Sequence, residues 1–368
     1  MTYNWQFPDW ANFTYDDSIL DSLVIDFAIE TGEMKGLTDS LPEKIQQETI
    51  LEFMISEAIK TSEIEGEFFS RQDVMSSLKK QLGLADALLP IRDKKTQGIA
   101  SLMIEVRNSY KNELSEALLK NWHFLLMKHT PYINAGEYRA GKEPMQIVSG
   151  AFGREIVHFE APPSNQIPNE MSNFIRWYNG FEVSTNDIRN ILLKTAISHL
   201  YFETIHPFED GNGRIGRAIS EKCLSESFGR PILMSLSSTI ENDKKQYYNA
   251  LKSAQRSLEI TDWIFYFSSA ILDAQKQAKH TIWMTLNKTR FLDRHKSQMN
   301  ERQIKAIMKM FDFGISGFEG GMTSKKYVSI TKSSRATATR DLQDLTVKGI
   351  LLQQGEGRNV RYDLNIVV

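Results

Sequence analysis

His206-Pro-Phe-Glu-Asp-Gly-Asn-Gly-Arg-Ile-Gly-Arg217 is the stretch on which the reading of this 368-residue chain turns. Gly211 and Gly213 carry no side chain, so backbone N–H groups around Asn212 can approach an anion closely. The helix predicted to open there adds the partial positive charge of its N-terminus. Arg214 and Arg217, three residues apart on that helix, can hold phosphate oxygens by charge-assisted hydrogen bonds. Asp210 is a hard oxygen ligand suited to Mg2+ carried on a polyphosphate. His206 is the one group of the stretch whose ordinary pKa suits proton abstraction near neutral pH.

Composition narrows the setting. Apolar residues make up 41% and charged residues 24%, which is ordinary for a globular chain. A net charge of -2 gives no general attraction to nucleic acid or to an anionic membrane. The N-terminus has no basic-then-apolar leader, and no run reaches the length of a membrane span. Cys223 is the only cysteine, so no intrachain disulfide can form, and it reads as a buried structural thiol. The expected compartment is the reducing cytoplasm.

Hydrophobic periodicity predicts a mainly α chain. Residues 41–65 repeat Ile50, Met54, Ala58 and Ile59 at helical spacing, and 114–128 repeat Leu114, Leu118, Leu125 and Leu126. Segments 170–181, 187–205, 212–227 and 243–287 add more helix, giving a helical bundle. Residues 145–160 are the exception: two short β-prone runs flank a Gly-rich turn and read as a hairpin, stopped by Ala161-Pro-Pro163. Tyr3, Trp5, Phe7, Trp10, Phe13 and Tyr15 crowd the first fifteen residues. Packing that pins the N-terminus to the body is favoured there over a peptide-recognition surface.

A separate C-terminal unit is expected from residue 295. A helix over 301–312 precedes a loop with Gly314, Gly317, Gly320 and Gly321. A short helix within 322–331, a longer one over 333–348 and strands at 350–354 and 359–364 follow. That order looks like a winged helix-turn-helix. Residues 300–368 hold 11 Lys and Arg against 7 Asp and Glu, while the remainder holds 33 against 39. Lys332, Arg335 and Arg340 could meet DNA, but such modules also dock proteins, and the charge excess does not choose.

Two decoys can be set aside. Gly136 to Lys142 fits Gly-x-x-x-x-Gly-Lys, but Glu143 stands where a P-loop needs Ser or Thr. His199 and His206, seven apart, lack a third ligand at a spacing that would hold zinc.

The 206–217 stretch resembles the signature of the Fic family, His-x-Phe-x-Asp/Glu-Gly-Asn-Gly-Arg-x-x-Arg, at every defined position. Gly213 separates it from the kinase-like branch, which lacks that glycine. The resemblance implies a Fic-type helical bundle with a β-hairpin flap, and transfer of AMP from ATP to a Ser, Thr or Tyr hydroxyl of a target protein. It implies that His206 is the general base and that Asp210 holds Mg2+. The N–H groups of Gly211, Asn212 and Gly213 would bind developing charge, and Arg214 and Arg217 the outer phosphates. Tyr247 and Tyr248 resemble the segment lining the adenine pocket. The hairpin, with Val157, His158 and Phe159, falls where the family has the flap that aligns a target strand. Gly136-Glu-Tyr-Arg139 matches another recurrent segment, and the aromatic N-terminus resembles a short domain that precedes Fic in some bacterial members.

Thr61-Ser-Glu-Ile-Glu65-Gly66 is the second informative segment. Glu65 continues the Met54, Ala58, Thr61 stripe, where a carboxylate needs a partner, and Gly66 is suited to end the helix. From periodicity alone, an inward Glu and an ordinary surface Glu are equal readings. The segment resembles the family's inhibitory motif, Ser/Thr-x-x-x-Glu-Gly/Asn, at Thr61, Glu65 and Gly66. That implies a glutamate paired with Arg217, blocking the productive pose of the γ-phosphate from within the same chain. The expected organisation is therefore an aromatic segment with an inhibitory helix (1–90), a Fic domain (91–294) and a winged helix (295–368). Partners would be ATP and a hydroxyl-bearing protein, with DNA and a homodimer left open and no membrane. Another nucleotidyl transfer, removal of AMP, or a DNA-binding regulator with a Fic sensor are the alternatives.

Overall fold

Helix formation dominates, as the periodicity predicts, and among the described residues the strands are confined to two short antiparallel pairs. The structure is a computed structural model describing residues 2–84, 93–149, 156–184, 187–311 and 321–366. The turn expected at 150–155 and the glycines at 314, 317 and 320 lie outside the described residues. The chain divides into one compact unit of Met1–Glu33 and Gln47–Ala278, and another of Met34–Gln46 and Lys279–Val368.

In the first unit the helices are α1 (Asp21–Asp39) and α2 (Glu43–Ile64), each in part, then α3 (Arg71–Gln81), α4 (Lys95–Ser109) and α5 (Glu116–Met127). After strands β1 (Gln146–Ser149) and β2 (Ile156–Glu160) come α6 (Ile167–Gly180), α7 (Ile188–Ile205), α8 (Asn212–Ser227), α9 (Leu236–Asn242), α10 (Lys244–Ala254) and the start of α11 (Thr261–His295). Every residue of α7 from Ile191 to Ile205 is buried, so this helix is the axis around which the others pack. Helix α8 lies against it, and Phe202, Ile205, Phe208, Ile215 and Ile219 join Trp122 and Leu126 of α5 in one apolar cluster. Thr195 donates to the Sγ of buried Cys223 at 3.3 Å across the α7–α8 contact, a structural use of that thiol.

The helix expected over 243–287 is broken. Helix α10 ends at Ala254 and α11 starts at Thr261. Between them Leu258 accepts from the Thr14 N–H (2.8 Å) and Ile260 donates to the Thr14 carbonyl (2.9 Å). The N-terminal chain thus takes backbone groups that a continuous helix would have used itself. The aromatic N-terminus packs inward: Trp10 meets Tyr201 edge-on at 5.1 Å and donates to Glu170, and Tyr3 meets Phe159 at 5.1 Å. Trp5 donates to the Glu160 carbonyl (2.7 Å), so the segment grips the strand β2. Strands β1 and β2 are antiparallel, pairing Ile147 with Phe159 and Val148 with Val157 across an irregularity.

The second unit holds α12 (Glu301–Phe311), α13 (Ser324–Thr331), α14 (Arg335–Val347) and the antiparallel strands β3 (Leu351–Gln354) and β4 (Arg361–Leu364). Ser334 caps α14 by accepting from the Thr337 N–H, and Lys332, left-handed at φ 58°, ends α13. Its core gathers Ile307, Met310, Tyr327, Leu342, Leu345 and Tyr362. Asp341 is buried there because Tyr327 and Arg302 both donate to it at 3.0 Å.

Candidate active site

The six residues between α7 and α8 place the chemistry at the ends of two packed helices. His206 caps α7 in a left-handed conformation (φ 50°, ψ 60°), unusual for a residue with a side chain. Arg139 holds it there. The guanidinium donates from Nε to the His206 carbonyl (2.8 Å) and from Nη2 to the carbonyls of Pro162 (2.6 Å) and Ile205 (3.3 Å). A buried cation at a helix C-terminus meets the negative end of the dipole, which accounts for Arg139 beyond its sequence segment. Burial lowers its pKa to about 10. Burial, then the Arg139 charge, lowers the His206 pKa to about 4, so the imidazole is a free base at neutral pH.

The turn after His206 is clamped from both sides. Asn212 accepts from the Phe208 N–H and donates to the Phe208 carbonyl, both at 2.9 Å. Its side chain is thus a brace, while its backbone N–H stays on the first turn of α8. His123 stacks on Phe208 with ring centres 4.0 Å apart. Its Nδ1 accepts from the Gly136 N–H (2.8 Å), which makes Nε2 the donor to the Asp210 carbonyl (3.1 Å). Neither contact is visible in the signature, because His123 and Gly136 lie some 70 to 90 residues away in the chain. Gly211, at φ 84°, precedes the first turn of α8, and no side chain caps that turn. The N–H donors of that turn are therefore open to an anion, whereas the Gly211 N–H, expected among them, already donates to Asp210 Oδ1 (2.6 Å).

A cleft of about 540 Å3 opens over this helix end. His206, Asp210, Gly211, Asn212 and Gly213 line it, with Tyr247 and Tyr248 on one wall, His158 and Phe159 of β2 on another, and Glu65. Tyr247 is buried, and its hydroxyl lies 2.8 Å from His199 Nε2. Ser220 already donates to the Gly216 carbonyl, so His199 donates from Nδ1 to Ser220 (3.1 Å) and accepts from Tyr247. His199 is a buried brace for the tyrosine wall. Tyr248 stays 39% exposed, its ring 5.1 Å from that of Tyr247. Val157 is exposed on β2 and is not among the lining residues.

Arg214 and Arg217 are absent from that lining among the described residues, because carboxylates cover both. Arg217 donates from Nε to Thr61 Oγ1 (2.7 Å) and from Nη2 to the Thr61 carbonyl (2.9 Å) and Glu65 Oε1 (2.8 Å). Burial works against the charge on Arg217, but Glu65 together with Tyr247 and Tyr248 more than offsets it and raises the pKa. Glu65 sits just past the end of α2, where Gly66 (φ 79°) closes the helix: its N–H donates to Glu63 and that of Glu67 donates back to Ser62. The residue is exposed rather than on a core face, and only its carboxylate turns inward, with the side chain 27% exposed. A Cβ on Gly213 would collide with Glu65 Oε1, so the carboxylate lies directly on the helix end. Arg214 ion-pairs with Glu67 and approaches Asp210 at 3.4 Å. Glu67 was not singled out from the sequence; an acidic residue three past the helix end carries no signal of its own.

Glu203 also went unread. It is 5% exposed, lines the cleft, and has Oε1 without a partner. Burial, then the negative charge of Glu65, raises its pKa to about 8.

The comparisons with known proteins agree with this geometry. The Fic/DOC family profile matches residues 113–224, and a profile described as a domain of unknown function (DUF4172) matches residues 3–84. Residues 113–224 thus carry a Fic/DOC-type domain. It is 30% identical over 97 residues to a probable protein adenylyltransferase of Aquifex aeolicus, covering 26% of this chain and 27% of that one. It is 29% identical over 132 residues to the protein adenylyltransferase Fic of Drosophila erecta, covering 36% and 23%. The match therefore spans about a quarter of each curated relative. Among solved structures, a Fic family protein of Desulfovibrio desulfuricans superposes with a TM-score of 0.58 at 20% identity, over 96% of this chain and 97% of that one. A Fic domain containing signaling protein of Bacteroides thetaiotaomicron gives 0.52 at 19%, over 70% and 96%. These two likenesses concern the fold. Among the described residues no helix is long and apolar enough to cross a membrane.

Proposed function

We propose that this chain transfers AMP from ATP to hydroxyl side chains of a target protein and of itself, and that Glu65 restrains the transfer. The observation that carries the reading is the convergence of His206, Asp210 and the uncapped start of α8 on one cleft whose phosphate-binding arginines are held by carboxylates. Arg214 Nε and Arg217 Nη1 are buried donors with no acceptor, which phosphate oxygens would satisfy.

In this reading the neutral imidazole of His206 takes the proton of the attacking hydroxyl. The oxygen forms a bond to the α-phosphorus, the bond to the β-phosphate oxygen breaks, and pyrophosphate leaves. The first-turn N–H groups of α8 stabilise the charge that builds on the α-phosphate. No three His, Cys, Asp or Glu side chains among the described residues converge as a metal cage. A lone carboxylate, Asp210, is the donor set suited to Mg2+ held mostly by phosphates and water. Bound there, Mg2+ would neutralise phosphate charge. The open strands β1 and β2, with Ile147, Val148 and Val157 exposed, support docking of a target backbone beside the cleft.

The test is incubation with labelled ATP and Mg2+, alone and with lysate, followed by mass spectrometry for added AMP. Label on the protein and on lysate proteins is expected, and it should vanish with His206→Ala. Absence of label even in Glu65→Gln would overturn the reading.

The second unit supports a winged-helix assignment for residues 295–368. Its observation is the exposed start of α14, where Arg335, Thr339 and Arg340 face solvent beside Lys332. A gel shift with genomic fragments tests DNA contact, and failure to retard any fragment would favour protein docking.

A further inference from the structure

Two carboxylates, Glu65 and Glu67, hold the two arginines of α8. Glu67 ion-pairs with Arg214 Nη1 through one carboxylate oxygen and with Lys95 Nζ (2.7 Å) through the other. Arg214 is 4% exposed, as closed off as Arg217, and neither lines the cleft. Glu65 and Glu67 flank Gly66, whose left-handed backbone turns both carboxylates toward the start of α8. The hydrogen bonds of the helix end tie the two positions together, since the Glu67 N–H is anchored on Ser62 in the last turn of α2. Movement of the segment that frees one arginine must therefore disturb the other.

We propose that Glu67 is a second inhibitory carboxylate, which withholds Arg214 from the nucleotide as Glu65 withholds Arg217. This rests on the reading of Arg214 and Arg217 as phosphate-binding groups. Glu67 and a phosphate oxygen compete for the same guanidinium, and the tethered carboxylate has the higher effective concentration. The rival role for Glu67 is to orient Arg214 toward Asp210 for catalysis, and it predicts the opposite sign.

The experiment compares the wild type, Glu65→Gln, Glu67→Gln and the double variant. Titration calorimetry with a non-cleavable ATP analogue and Mg2+ reads binding, and labelled ATP reads self-modification. Glu67→Gln alone should tighten nucleotide binding at least about fivefold, the lower end of typical couplings between competing contacts. The double variant should bind more tightly, and label faster, than either single one. Glu67→Asp keeps the charge but shortens the reach, so it should fall between wild type and Glu67→Gln, which guards against a folding artefact. Weaker binding by Glu67→Gln, or slower labelling when it is added to Glu65→Gln, would overturn the proposal in favour of the orienting role. Unchanged binding in both backgrounds would overturn it as well. Because binding is measured apart from transfer, a chain that never labels would sink the transferase reading while leaving the competition for Arg214 decided.

Discussion

Glu65 Oε1 stands 2.8 Å from Arg217 Nη2, and the same guanidinium is fixed by Thr61 through Nε, so one turn of α2 encloses an arginine of α8. Replacing Glu65 with Gly should raise self-modification, because Arg217 is freed for the nucleotide. Loss of a charged hydrogen bond costs about 1–3 kcal/mol, so the variant should melt earlier without ligand and recover with ATP. Glycine also weakens a helix end, which makes Glu65→Gln the control. Unchanged labelling by both would make Glu65 an ordinary helix-end residue.

His206→Ala should abolish transfer and leave ATP affinity near the wild-type value, since the imidazole acts on the hydroxyl and not on the phosphates. Calorimetry and labelling on one preparation check both halves. Near-normal labelling would remove His206 as the base.

Asp210→Ala should eliminate Mg2+-dependent labelling. The Asp210 carbonyl, which holds His123, survives the change, so the turn loses only the Oδ1 contacts with the Gly211 N–H and Arg214. Labelling that resists both this substitution and chelation would make Asp210 a local cap for the Gly211 N–H.

Arg139→Lys should lower kcat far more than it raises KM. A lysine carries its three donors on a single atom and cannot match carbonyls that the guanidinium serves from both Nε and Nη2, so the left-handed His206 loses its support. A pure rise in KM would contradict this positioning role.

The buried His123 and His199 should each cost stability as the pH falls, against the opposite slope of Glu203, whose raised pKa of about 8 favours the folded state in acid. His123 and His199 are fully buried, with pKa lowered by burial to about 4 and about 3. The unfolded chain takes up their protons near pH 6.5, so their contribution is complete above that value and falls as the pH drops toward the folded values. On the order of 2 kcal/mol per histidine should be lost by pH 5, readable as the difference in denaturant midpoints between the wild type and a variant lacking that histidine. His199→Gln should flatten that slope. Transfer per folded molecule should stay level from pH 7.5 to 5.5, because the His206 pKa is also about 4. A limb centred at 6.5 would show His206 titrating as an exposed imidazole.

The sequence by itself determined the parts that neighbouring residues build. His206 to Arg217 holds its own turn, its own brace in Asn212 and its own helix start, so twelve residues disclosed most of the cleft floor. Met54, Ala58 and Thr61 marked one stripe of α2, and Gly66 marked its end, because a left-handed residue is a local requirement. Only the tertiary structure decided the partners. Arg139 reaches His206 across 67 residues, Arg214 reaches Glu67 across 147, and Trp5 reaches the Glu160 carbonyl across 155. The break at 255–260 arose the same way, when Thr14 claimed backbone groups that local propensity had assigned to a helix. A long charged side chain can satisfy itself on any of several acceptors. Which one it takes is settled by what the packed core brings within 3 Å, and periodicity and motif spacing do not encode that choice.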